Sequence, residues 1–198
     1  MEEIGFKSAY DAVRFALAYS SQQYGETLMA KRLRGESKGG GMGLIGMDGA
    51  GQAGQIRREM VESLSVVQLA AIVARTAPRD HPCACGRPCC SGRIPNAEWQ
   101  EAISFLTEAS AAYASGFSHY RARRAIIEKI YGVKIDLGEI AEQCDAHRNT
   151  VGRHHSAVRR WLEGDRKRGE PGLERNAWTI LDVRASEIGI CGTTDEKC

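Results

Sequence analysis

Residues 137–162 read LGEIAEQCDAHRNTVGRHHSAVRRWL, and the apolar spacing in this stretch decides how the chain is read. Leu137, Ile140, Ala141 and Cys144 fall on one face of a helix expected over Leu137–Gln143. Asp136 precedes it, where a short acceptor side chain caps free N–H groups. A second helix is expected over about His147–Leu162. Its inner positions are Val151, His154 or His155, Val158, and Trp161 with Leu162, three to four apart. Ala141 suits a crossing point with room only for a small side chain, and Val151 follows ten residues later, where the second helix packs back. Asp145 holds the turn position that usually carries glycine, and Asp tolerates the left-handed conformation better than most residues. The pattern is that of a helix-turn-helix.

The start of the second helix presents His147, Arg148, Asn149, Thr150, Gly152 and Arg153. A recognition helix places its N-terminal residues against base edges in the major groove. Arg pairs there with guanine and Asn with adenine. Gly152 leaves space for close backbone approach. Arg159 and Arg160 further along, with Arg121, Arg123 and Arg124 on the preceding helix, are expected outward against phosphates, which supply affinity and fix register. The alternative is an ordinary helical hairpin with a solvated basic face.

Charge supports the first reading. The whole chain of 198 residues carries a net charge of only +2. From Arg121 to Arg168, however, twelve Lys or Arg stand against seven Asp or Glu, while the remainder has fifteen against eighteen. Such asymmetry is what a nucleic-acid-binding end produces. No stretch approaches the apolar length of a membrane span, and the N-terminus lacks the basic-then-apolar pattern of a signal peptide. A cytoplasmic protein without membrane association is therefore expected, and in that compartment clustered cysteines more often bind metal than form disulfides.

The rest of the chain reads as mainly helical. Ser8–Leu33 looks helical, with Ser8 and Asp11 resembling a capping box and Ala12, Phe15, Ala16, Tyr19 and Gln23 on one face; Gly25 marks a place for an interruption, after which Leu28, Met29 and Leu33 continue the spacing. Gly35–Gly54 holds nine glycines in twenty residues and is expected to form neither helix nor sound strand. It is either a linker or a functional loop, and Met42, Leu44, Ile45 and Met47 argue against a simple spacer. Gln55–Ala77 returns to helix, as one or as two meeting near Ser65, and Pro78 stops it. Asn96–Tyr113 is a helix capped by Asn96, with Trp99, Ile103, Leu106 and Tyr113 in its apolar stripe. Phe117–Tyr131 follows, with Tyr120, Ile127 and Ile130 inward, ended by Gly132. Gly164–Gly172 is a charged turn and a domain edge. Ala177–Ile190 is a helix or strand packing back, and the last eight residues are expected to be a disordered polar tail with Cys191 and Cys198 as free thiols. The expected units are thus 1–34, 35–54, 55–116, 117–163 and 164–198.

Between them, residues 81–90 read HPCACGRPCC. Cys83, Cys85, Cys89 and Cys90 crowd four thiolates together, and Zn2+ takes four such ligands tetrahedrally. Adjacent Cys89 and Cys90 are hard to place on one ion, and His81 can replace either. A structural zinc is expected here; reduced cysteine without metal is the alternative. No paired-carboxylate site, no nucleophile with a base and no G-K-[S/T] phosphate loop is visible, so no enzyme is expected.

A helical N-terminus, the run C-C-S-G at 89–92 before N-A-E-W at 96–99, and the C-terminal helix-turn-helix together resemble the Q-type late-gene antiterminators of bacteriophages and their Q-like relatives on bacterial chromosomes. The resemblance covers roughly Ser8 to Leu162. It implies a factor that binds double-stranded DNA near a promoter, engages bacterial RNA polymerase with its sigma factor, and permits read-through of terminators by narrowing the RNA exit channel. On that view Gly35–Gly54 lies near nascent RNA. Lys31, Arg32, Arg34, Lys38, Arg57 and Arg58 would meet its phosphates, and Gly39, Gly40, Gly41, Gly43 and Gly46 would form a thin lining. A regulator of transcription initiation is the alternative, since the DNA-binding motif looks the same.

Overall fold

The computed structural model describes residues 6–19, 27–34, 49–83, 85, 87, 91–113, 119–165 and 167–191. The described residues are mainly α, with 70% of them in helix. The helices are α1 (Ala9–Ala18), α2 (Leu28–Arg34), α3 (Gly49–Ser63), α4 (Val66–Thr76), α5 (Ala97–Ala109), α6 (Tyr120–Ile130), α7 (Leu137–Gln143), α8 (Arg148–Glu163) and α9 (Leu173–Glu187). Two antiparallel ribbons interrupt them: β1 (Asp80–Pro82) with β2 (Arg93–Pro95), and β3 (Gly164–Asp165) with β4 (Glu170–Pro171).

Helix starts follow side-chain capping. The Ser8 hydroxyl accepts from Asp11 N ahead of α1. Ser65 and Gln68 cap α4 reciprocally, which separates α3 from α4 at the expected place. The Asn96 side chain accepts from Glu98 N at the head of α5. His119 and His147 cap α6 and α8 through Nδ1.

Helix α4 is the hub. Leu69 to Val73 are wholly buried, and the helix packs on α1, α2, α5 and α9. Trp99 of α5 is core, its indole N–H donating to Ala74 O. Arg75 ties α4 to the C-terminal half. Its guanidinium pairs with Glu174 of α9 at 2.8 Å and lies over the Tyr131 ring. The first and last described segments meet where Phe6 N donates to Ile190 O. Buried residues from α1 to α9 form one cluster, so the boundaries expected at 116 and 163 do not separate cores.

Several expectations change. Helix α3 begins at Gly49, inside the segment expected to be non-helical. Each helical glycine costs up to about 1 kcal/mol, and here close packing offsets it: a Cβ on Gly49 would press on Tyr19 and Phe15 of α1 at 3.3–3.4 Å. Gly164–Asp165 and Glu170–Pro171 pair as a ribbon where a charged turn and domain edge was expected, and the segment after it is the long helix α9. Leu33 and Tyr120, expected inward, are exposed, whereas Ile126 is buried. Cys191 is buried beside Phe6 rather than lying in a tail. Gln23, Phe117 and Cys198 lie outside the described residues.

Candidate nucleic-acid interface

Asp136 builds the start of α7. Its carboxylate accepts from Gly138 N at 2.7 Å while the Glu139 side chain accepts from Asp136 N. The backbone N–H groups of Gly138, foremost, and Leu137 hold the Asp136 carboxyl below the usual range. Ile140 and Ala141 turn inward. Asp145 then takes φ +48°, the one non-glycine positive φ among the described residues, and Ala146 N donates to Ala141 O. The chain thereby reverses within a few residues. His147 starts α8 by accepting from Asn149 N at 3.2 Å, and Val151, Val158 and Leu162 carry the helix onto the core.

That inner face fixes what the outer face shows. Arg148, Asn149 and Arg153 are exposed and line an open concavity of about 650 Å³ with Gly152, Arg160 and Leu137. A Cβ on Gly152 would meet nothing within 4 Å, so no packing demand of the fold explains a glycine there. Among the described residues, Arg148 and Arg153 make no ion pair within 4.0 Å; Asp136 is the acid in whose field Arg148 lies.

Most of the neighbouring cations are already engaged. Arg159 pairs with Glu163 at 2.7 Å, and Arg160 Nε is 3.9 Å from Asp165. Arg121 is exposed. Arg123 donates to Thr107 O, and Arg124 bonds Ser104, Gln100 and Glu128. These last two, expected outward against phosphates, are turned onto α5, because α5 offers acceptors at their level. His147 caps α8 and is exposed, and Thr150 is half-buried. Burial and then Arg153 push the His154 imidazole below its ordinary range; burial, Arg159 and Lys129 do so for His155, against Glu163.

Among the described residues, the other expected site residues are not brought into one place. Lys31, Arg32 and Arg34 belong to α2, with the Lys31 and Arg34 side chains outside the described residues and Arg32 half-buried. Arg57 is buried and paired with the equally buried Glu98, whose other oxygen accepts from Leu28 N. It therefore anchors α2 and α3 to α5 and is not available to RNA as expected. Arg58 is exposed. Lys38, Gly39, Gly40, Gly41, Gly43 and Gly46 lie outside the described residues.

His81 lies in β1 opposite Ile94, and Cys83 N donates to Gly92 O, so the β1–β2 ribbon carries Cys83 at its open end. Cys85 is exposed, and Cys89 and Cys90 lie outside the described residues. Among the described residues no three His, Cys, Asp or Glu gather as metal ligands, and no helix is long and apolar enough to cross a membrane. Comparison with family models, curated proteins and solved structures returned no match.

Proposed function

We propose that the protein binds double-stranded DNA through α7 and α8, acting as a helix-turn-helix, and that it serves in transcription antitermination. The observation that carries the DNA reading is the division among arginines. Arg148 and Arg153 stand exposed at the head of α8, with no ion pair among the described residues, beside Asn149 and an unobstructed Gly152, while Arg57, Arg75, Arg123 and Arg124 are held by protein partners. In this reading Arg148, Asn149 and Arg153 meet base edges through paired hydrogen bonds, and Arg121 and Arg159 serve the backbone.

Antitermination is carried by the likeness in order of parts, with residues 35–48 acting at the RNA exit channel of polymerase and the chain loading at a promoter-proximal element. The helical start of α3 limits that segment to the residues before Gly49. A structural zinc on Cys83, Cys85 and further ligands among Cys89, Cys90 and His81 belongs to the same proposal. It is checked by zinc content of chain purified without chelator, with Cys83→Ser and Cys85→Ser as controls.

The test is single-round transcription with purified bacterial polymerase and sigma factor. The template carries a promoter, the duplex sequence that the protein selects from a random pool, and a distant intrinsic terminator. Increased read-through that depends on the selected element supports antitermination. A changed transcript total with an unchanged terminated fraction replaces it with regulation of initiation. Deleting residues 39–47 is expected to leave DNA binding intact and abolish read-through; unchanged read-through removes this segment from the mechanism.

A further inference from the structure

The ribbon β3–β4 follows α8 with no spacer. Gly164 is both the C-cap of α8, at φ +83°, and the first residue of β3. Gly164 and Gly172 cross at its base: a Cβ on Gly172 would collide with Gly164 N and Leu162 O, and one on Gly164 with Glu170 O. This contact roots the ribbon on the last turn of α8, so its direction is set by the helix. At the tip, Asp165 Oδ1 accepts from Lys167 N at 3.0 Å and Arg168 N donates to Asp165 O. Gly169, at φ +68°, completes the turn. Lys167 through Pro171 are all exposed. The tip therefore adds nothing to the core, and a packing role does not account for its basic side chains.

The tip is continuous with the face of α8. Arg160 lines the same concavity as Arg148, Asn149 and Arg153. Its Nε is 3.9 Å from Asp165 Oδ2, and the same oxygen is 3.7 Å from Arg168 Nε. One carboxylate thus bridges the end of the concavity and the tip of the ribbon. From Arg148 to Arg160 the helix rises about 18 Å at 1.5 Å per residue. The ribbon therefore stands roughly 18 Å along the helix axis from the head of α8.

We propose that the β3–β4 ribbon is a second DNA contact, in which Lys167 and Arg168, with Arg160, grip the phosphate backbone of double-stranded DNA beside the bases met by α8. This rests on the DNA-binding reading of α8. Asp165 holds Arg160 and Arg168 in register in the free protein and yields them to phosphate on binding. The ribbon supplies affinity and register, without sequence preference.

The test measures binding of the full chain to the duplex it selects from a random pool, and to a random-sequence duplex of equal length, by fluorescence anisotropy across a salt series. Lys167→Ala with Arg168→Ala is expected to weaken both duplexes by on the order of tenfold. It should also make the slope of log affinity on log salt shallower by about 2, with an unchanged unfolding temperature. Asp165→Asn keeps the turn acceptor and removes the charge; it is expected to tighten both duplexes and steepen the slope. Wild-type affinity and slope in the double variant overturn the proposal, as does a loss confined to the selected duplex. If the wild type selects no duplex, both this proposal and the reading of α8 fall. If it selects one whose preference Arg153→Ala relaxes while the ribbon variants change nothing, the ribbon alone is excluded.

Discussion

What an arginine does here depends on what its guanidinium already holds. Arg57 sits in the core against Glu98 and fixes three helices. Arg124 spends its donors on Ser104, Gln100 and Glu128. Arg148 and Arg153 hold nothing within ion-pair distance among the described residues. The first prediction follows from this contrast. Arg148→Ala or Arg153→Ala is expected to lose about 1–3 kcal/mol on the selected duplex and relax preference at one base pair. Arg124→Ala is expected to keep that preference and lower the denaturation midpoint. Binding across single-base variants of the selected duplex, beside urea unfolding, reads both. Equal weakening on every duplex would move Arg148 or Arg153 to phosphate contact. The exposed Arg148 was legible in the sequence, because Val151 and Val158 fix the inner face of α8 by spacing alone. The inward turn of Arg123 and Arg124 was not. They lie at the edge of the α6 apolar stripe, and their acceptors, Thr107, Ser104 and Gln100, come from a helix whose placement no local pattern records.

Elements announce themselves where a cap and a period coincide. Asp136, Asn96, Ser65 and Ser8 each mark a helix start in sequence and each caps one. The start of α3 carries neither signal, since Gly49, Gly51 and Gly54 oppose helix locally, and packing of α3 on α1, α2, α4 and α9 holds it in place. The ribbons were illegible for another reason: strands of two or three residues are too short to show alternation. Gly152 gives a test at this scale. Gly152→Ala is expected to stabilise α8 by about 0.5–1 kcal/mol, since Ala replaces Gly in a helix interior and its Cβ meets nothing. The same change is expected to weaken binding to the selected duplex if the backbone approaches base edges there. A gain in stability with unchanged binding would make Gly152 incidental. Helix α8 also carries a pH dependence. His154 and His155 bind protons less readily in the folded chain than the ordinary value of 6.5. Their contribution to stability is complete above that value. As the pH falls below it, the unfolded chain takes up protons that the fold refuses, so stability declines. Urea midpoints at pH 7.5 and 5.5 should show this decline, and His154→Gln with His155→Gln should shrink it.

At the scale of the molecule, sequence spacing suggested separable units, and the packing joins them. The three helices α6, α7 and α8 read as a self-contained DNA-binding unit because each has its own apolar face. Yet α6 leans on α5, and α8 on α9. Ala177, Leu181 and Ala185 of α9 are buried in the same cluster as Val158 and Leu162. Glu174 completes the Arg75 bridge. This dependence was hidden because α9 shows a weak apolar pattern, being partly buried on several sides. It leads to the last prediction. A chain ending at Gly172 lacks α9 and leaves Arg75, Leu162 and much of α4 facing water. Large-to-small changes at single core positions cost about 2–5 kcal/mol each, and a domain holds only about 5–15 kcal/mol in all. Loss of a whole packed helix is therefore expected to abolish cooperative unfolding in the truncated chain, followed by circular dichroism on heating, and with it duplex selection. A truncated chain that still melts cooperatively and selects the same duplex would show that α6 to α8 stand alone, and that α9 serves some purpose other than completing the core.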